Sequence, residues 1–187
     1  MDYIVVGLGN PGKRYAYTRH NVGWIALDYI TDKLGVKTNK LKFKSLCGEA
    51  TVNEKKVLFL KPQTFMNLSG EAVFAASSFY KIPPERILVI CDDIALPSNK
   101  IRIRRHGSDG GHRGLRSIIM LLGSDSFPRI KIGVSDRSNP DMDLKDWVTG
   151  EMTDDELNCL DKKLPDILKA TEAFILDNLE KAMAEFN

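Results

Sequence analysis

The chain has 187 residues, with 27 Lys and Arg against 25 Asp and Glu and 43% hydrophobic residues, which points to a single domain, 1–187, whose core needs no covalent crosslinks. No apolar run approaches the length that spans a bilayer, and the first residues show no basic-then-apolar leader, so no membrane role or secretory route is expected. Three scattered cysteines, Cys47, Cys91 and Cys159, form no C-x-x-C pair; they exclude a zinc-ligand signature and fit a reducing, cytoplasmic compartment.

In chain order, the β-branched run in 3–8 predicts a strand that ends in Gly7-Leu8-Gly9-Asn10-Pro11-Gly12, a literal G-x-G-x-x-G. A dinucleotide loop would open a helix at once and place an acidic residue at the end of a second strand. Here Pro11 and Gly12 are turn residues, and helical periodicity starts only near Val22, giving a helix over about 21–34 that contains Asp28 and Asp32. The glycines therefore read as a tight exit from a strand. A hairpin follows, Cys47–Val52 and Lys56–Leu60 around Asn53-Glu54. A helix at about 67–80 ends at Pro83-Pro84. The near-continuous apolar run Ile87–Cys91 reads as a strand buried on both faces. Residues 100–105 form a further strand, 106–111 a glycine-rich loop, 113–122 a helix and 129–134 a strand. A short connector, 142–150, readable as partly helical, precedes a capping box at Thr153-Asp154-Asp155-Glu156 and helical sequence to the end, broken at Pro165. Strands alternating with helices, plus a hairpin, give an α/β fold: a single-domain, mixed, twisted sheet flanked by helices.

The near-neutral total hides an asymmetry. Residues 141–187 hold 13 acidic and 5 basic groups, leaving 22 basic against 12 acidic in 1–140. Lys100, Arg102, Arg104, Arg105, Arg113 and Arg116 cluster in 100–116, opposed only by Asp109. Such a stripe suits a polyanionic partner. It equally suits the solvated face of a strand, because Ile101-Arg102-Ile103-Arg104 alternates.

Open α/β sheets bind ligands beyond the carboxyl ends of their strands. The groups predicted there are Asn10 and His20, Asp92 and Asp93, and the loop from Gly107 to His112, with Phe65-Met66-Asn67 beside them. A carboxylate on one ring nitrogen of His20 would leave the other as a base near neutral pH. Cys91 continues an apolar run, which favours a buried, inert thiol over a nucleophile. Asn67 reads equally well as a helix cap.

Several blocks together resemble the bacterial-type peptidyl-tRNA hydrolases: Val6–Gly12, Tyr15 and Thr18-Arg19-His20-Asn21-Val22-Gly23; then 61–70 with Thr64-Phe65-Met66-Asn67-Leu68-Ser69-Gly70; then Asp92-Asp93 with Leu96-Pro97, Gly110–Leu115 and Arg129–Gly133. The resemblance runs from residue 3 to about 150. It implies a metal-independent, cofactor-free esterase that releases peptide from tRNA, acting as a monomer with no obligate protein partner. Carried over by position, His20 is the general base and Asp92 orients it. Asn10, Tyr15, Met66, Asn67, His112 and Arg113 bind substrate, while Arg102, Arg104 and Lys131 take the tRNA backbone. Three departures stand out: Arg113 where the family has Asn, Ala95 where Asp is common, and Ser98-Asn99 where a glycine turn is usual. They keep a second class in view, since some plastid relatives bind RNA without hydrolysis. A nicotinamide-dependent enzyme is the remaining alternative.

Overall fold

The computed structural model describes residues 1–98, 100–136 and 141–187. Among them lie seven strands and six α-helices: β1 (Tyr3–Gly7), α1 (Val22–Lys33), β2 (Lys40–Lys42), β3 (Ser45–Val52), β4 (Lys55–Pro62), α2 (Ser69–Tyr80), β5 (Ile87–Asp93), β6 (Ile101–Arg104), α3 (Arg113–Leu122), β7 (Arg129–Gly133), α4 (Leu144–Thr149), α5 (Asp154–Ile175) and α6 (Leu179–Phe186). One mixed sheet has the order β2-β3-β4-β1-β5-β7-β6. Its centre, β4-β1-β5-β7, is parallel, and its outer pairs are antiparallel.

The period-2 alternation of the strands divides the core in two. Tyr3, Val5, Leu88 and Ile90 face α1, α5 and α6, whereas Ile4, Val6, Val89 and Cys91 face α2 and α3. All of β1 is buried, as its continuous apolar run requires between two helical layers. At β6 the alternation has the opposite consequence. Ile101 and Ile103 enter the core, and Arg102 and Arg104 stand in solvent on the other face.

Two predicted features are corrected. The helix does not break at Pro165: α5 runs unbroken across it. Pro165 and Asp161 are both exposed, so the carbonyl that loses its N–H partner is open to water, and buried Leu160, Leu164, Ile167 and Ala170 hold the helix on the core. The break comes instead after Ile175, where Asp177 takes φ +57°. Tyr3 Oη donates to Asp177 there, and burial together with that carboxylate pushes the phenol up to about 12. The second correction is β2, a three-residue, fully exposed edge strand that the hairpin reading lacked. The helical sequence predicted to the end forms a packed pair, α5 on α6. No helix of the described residues is long and apolar enough to cross a membrane.

Candidate active site

The first turn of α1 presses onto the ends of β1 and β5. A Cβ on Gly23 would stand 2.4 Å from the carbonyl oxygen of Ile90 and 2.6 Å from that of Leu8; one on Gly7 would meet the Gly23 oxygen at 2.3 Å. Only glycines allow this approach, and it carries the 3₁₀ turn Arg19–Asn21 to the carboxyl edge of the sheet. The G-x-G-x-x-G opens no α-helix. Gly12, at φ +112°, leads into a single 3₁₀ turn, Lys13–Tyr15, so the nucleotide spacing has a packing cause.

Three buried polar residues fix that turn. Asn21 binds the backbone of Asn10 twice: its Oδ1 accepts from Asn10 N–H at 2.9 Å, and its Nδ2 donates to the Asn10 carbonyl at 3.0 Å. Thr18 Oγ1 donates to the Tyr15 carbonyl. The Arg19 guanidinium grips Glu156 at the start of α5 through two bonds of 2.7 Å, donates to the Trp147 carbonyl and stacks 3.5 Å from the Trp147 ring centroid. Glu156 also accepts from Thr153 N–H in the capping box, so one carboxylate both starts α5 and anchors the residue before His20.

His20 and Asp92 meet as predicted. His20 Nδ1 lies 2.7 Å from Asp92 Oδ1, which leaves Nε2 on the far edge of the ring without a partner among the described residues. His112 Nε2 lies 2.9 Å from the same oxygen. Its other nitrogen caps α3, with Nδ1 accepting from Gly114 N–H at 3.1 Å and Leu115 N–H at 3.2 Å. Two donors aimed at Nδ1 require a lone pair there, so the ring proton sits on Nε2 and is donated to Asp92. Asp92 is 3% exposed. Burial opposes its charge, but the two imidazoles and their hydrogen bonds outweigh burial and hold the carboxyl well below the usual carboxylate range.

His20, Asp92 and His112 also form a two-histidine, one-carboxylate set, with ligand atoms within 4.8 Å of one another. It does not suit a cation. Ligation through His112 Nε2 would move that ring's proton to Nδ1, against two N–H groups that the first turn of α3 fixes in place.

Asn10 Oδ1 accepts from Met66 N–H at 2.8 Å, which identifies the oxygen and leaves its NH₂ a donor without a partner among the described residues. Asn67 does not cap α2. It lies inside the 3₁₀ turn Met66–Leu68 and the cap position is Leu68; the first turn of α2 is met instead by Ser117, whose Oγ accepts from Gly70 N–H at 2.9 Å. Asn10, Tyr15, His20, Met66, Asn67, Asp92, His112 and Arg113 all line one cleft of about 490 Å³. Lys131 reaches the same cleft but is paired with Asp93 at 3.0 Å. Arg102 and Arg104 lie outside it; Arg102 is the cross-strand partner of Lys131, so their shared face continues from the cleft along β6. Asp93 also accepts from Ala95 N–H, so it is committed to its own turn and to Lys131. Ser98 is buried with its N–H on Asp136, and Asn99 lies outside the described residues.

Two kinds of residue escaped the sequence reading. Ile94, Leu144 and Val148, the last two from α4 in the partly helical connector, join the expected Phe65 in an apolar wall. Arg129 is 1% exposed, and its guanidinium donates to the carbonyls of Gly107, Ser108, Asp125 and Phe127. Burial lowers its pKa, and this cation ties the glycine-rich loop before His112 to β7. A charged residue inside the strand 129–134 was the available signal. Cys91 is buried at the β5–α3 interface, and burial first, then Asp92, pushes its thiol far above the ordinary range, which suits the inert reading.

The model of the family described as "Peptidyl-tRNA hydrolase" matches residues 4–187. A peptidyl-tRNA hydrolase of Caldanaerobacter subterraneus subsp. tengcongensis is 49% identical over 185 residues, covering 99% of each chain. One of Clostridium perfringens is 42% identical, over 98% of this chain and 96% of its own. The crystal structure of peptidyl-tRNA hydrolase from Acinetobacter baumannii superposes with a TM-score of 0.91 at 33% identity, over 98% of this chain and 93% of that one. With a matching model over nearly its whole length and such relatives, the chain belongs to the peptidyl-tRNA hydrolase family.

Proposed function

We propose that the protein hydrolyses the ester between a peptide and the 3′ end of tRNA, with His20 as general base. The observation that carries this is the His20–Asp92 pair, whose bond through Nδ1 leaves Nε2 open on the cleft side. Nε2 takes a proton from water as the water oxygen attacks the ester carbonyl. Asp92, held ionised, stabilises the imidazolium that forms. The oxyanion is met by N–H donors, for which the NH₂ of Asn10 and the side chain of Asn67 are suited. Collapse of the tetrahedral intermediate breaks the bond to the tRNA 3′-oxygen, which takes the proton back from Nε2. The products are a peptide acid and free tRNA. General-base help of this kind contributes about 10²–10⁴-fold and one oxyanion donor about 10²–10³-fold, which suits an already reactive ester without a metal. The tautomer of His112 supports the metal-free reading. The exposed face of Arg102 and Arg104, continued by Lys131, suits the tRNA backbone through sequence-independent, salt-sensitive contacts. Asn10 and Asn67 are suited to bind a peptide group that an unblocked aminoacyl ester lacks.

The test is release of tRNA from N-acetyl-aminoacyl-tRNA and from aminoacyl-tRNA by wild type and His20→Ala. Cleavage of the blocked ester alone, lost in the variant with RNA binding retained, is the expected result. Salt-sensitive tRNA binding without cleavage by wild type would overturn it in favour of an RNA-binding module.

A further inference from the structure

We infer that Arg113, which stands where the family pattern has a neutral Asn, holds the phosphodiester that joins the substrate's 3′-terminal nucleotide to the one before it. The inference rests on the peptidyl-tRNA reading above and adds a specificity determinant to it. Arg113 is the first residue of α3 and lines the same cleft as His20 and Asn67. The next residue faces the floor: a Cβ on Gly114 would lie 2.6 Å from Met66 Sδ and 3.0 Å from both His112 Cε1 and Leu8 Cδ1. Arg113 itself is exposed, so its guanidinium stands at the mouth of the cleft.

The guanidinium is also uncommitted. Neighbouring cations are spoken for, Lys131 by Asp93 at 3.0 Å and Arg116 by Asp109 at 3.5 Å. Among the described residues no carboxylate lies within 4.0 Å of Arg113. A permanently charged planar fork is left free beside the reacting ester. Two anions could meet it. An oxyanion is transient and is stabilised by donors preorganised in a site that excludes water; an exposed side chain on a flexible three-methylene stem is not such a donor. A phosphodiester carries a full charge in the ground state, matches the fork with two parallel bonds and tolerates solvent. In a tRNA ester the formal anion nearest the scissile bond is that phosphodiester, one ribose away on the 5′ side.

The experiment compares two minimal substrates, the N-acetyl-phenylalanyl 3′-ester of adenosine and the same ester carrying a 5′-methyl phosphodiester, with N-acetyl-phenylalanyl-tRNA in parallel. Wild type is expected to favour the phosphodiester substrate in kcat/KM by about 10- to 100-fold, the range of a charge-assisted bond. In Arg113→Gln that ratio falls to about 1, and in Arg113→Lys, which keeps charge but loses the fork, it takes an intermediate value. On tRNA ester, the slope of log kcat/KM against log salt falls in magnitude by about 0.7–0.9 in Arg113→Gln. An undiminished ratio or slope in Arg113→Gln overturns the inference, as does a loss of kcat that is equal for both minimal substrates. Wild type that cleaves tRNA ester yet ignores the phosphodiester overturns this inference alone; wild type that cleaves no ester overturns the function on which it rests.

Discussion

Replacing Asp92 by Asn tests the site most directly, because the geometry dictates how the new amide must sit. Both imidazoles converge on one oxygen, at 2.7 and 2.9 Å. His112 cannot change its tautomer, since α3 presents two N–H groups to its Nδ1. Its Nε2–H therefore demands an acceptor, and the amide must turn its oxygen, not its NH₂, to the histidines. His20 keeps its proton on Nδ1 and remains a base. What is lost is the negative charge under the imidazolium that forms during reaction. Opposite unit charges about 4 Å apart, at an effective dielectric of about 20, interact by about 4 kcal/mol, or close to 10³-fold in rate. We therefore predict a fall in kcat of about 10²–10³-fold, with KM nearly unchanged because Asp92 is buried beneath the ring. This is milder than the roughly 10⁴-fold known where an amide imposes the wrong tautomer on a catalytic histidine. Adding His112→Phe frees the amide to flip, and the double variant should lose about a further tenfold. Steady-state hydrolysis of N-acetyl-aminoacyl-tRNA reads both effects. A single variant with more than a tenth of wild-type kcat, or a loss carried by KM, would refute the reasoning.

Three further outcomes follow from the same contacts. Arg19→Met leaves the half-buried Glu156 without its cation and should destabilise the fold by about 1–3 kcal/mol, measured by urea unfolding; a change under about 0.5 kcal/mol would remove Arg19 as the brace of the His20 turn. Gly23→Ala forces a methyl group toward two backbone carbonyls, 2.4 and 2.6 Å away, so α1 must lift from the sheet; both melting temperature and kcat should drop, and a variant with wild-type activity would show that the close approach is dispensable. Asp92 has a depressed pKa in the folded state, so its contribution to stability is complete above the unfolded value of about 4 and is lost as pH falls below it. The gap in unfolding free energy between wild type and Asp92→Asn should narrow from pH 6 to pH 3, and a gap that widens toward acid would contradict the assignment.

Where local chemistry decides structure, the sequence was a sufficient guide. Helix α3 begins and ends where predicted because its termini are local: His112 caps its own helix, and Gly123 closes it at φ +63°. The alternation in 101–104 placed Arg102 and Arg104 on the solvent face for the same reason. Pro165 was misread because local backbone chemistry there loses to the packing of α5 on the core. Strand β2 was invisible because three exposed residues carry no burial pattern and exist as a strand only through β3. At the site, motif blocks named the residues that touch the cleft. They could not reveal the commitments among them: that Lys131 is taken by Asp93, that Asn67 caps nothing, or that Arg129 is buried on carbonyls. The Lys131 pair and the Arg129 bonds to Gly107 and Ser108 span 38, 22 and 21 positions, a pairing that no single-sequence pattern encodes.

The clasp between Arg19 and Glu156 also sets an order of manufacture. The two residues are 137 positions apart, and Tyr3 and Asp177, at the two ends of the same scaffold, are 174 apart. A ribosome making this protein lays down His20 long before Glu156, so the turn that aims it stays unbraced until the start of α5 has left the exit tunnel. A copy cut short before that point carries every residue of the cleft up to Lys131 and still lacks its anchor. Copies interrupted between the two residues are therefore expected to carry a His20 turn without its brace.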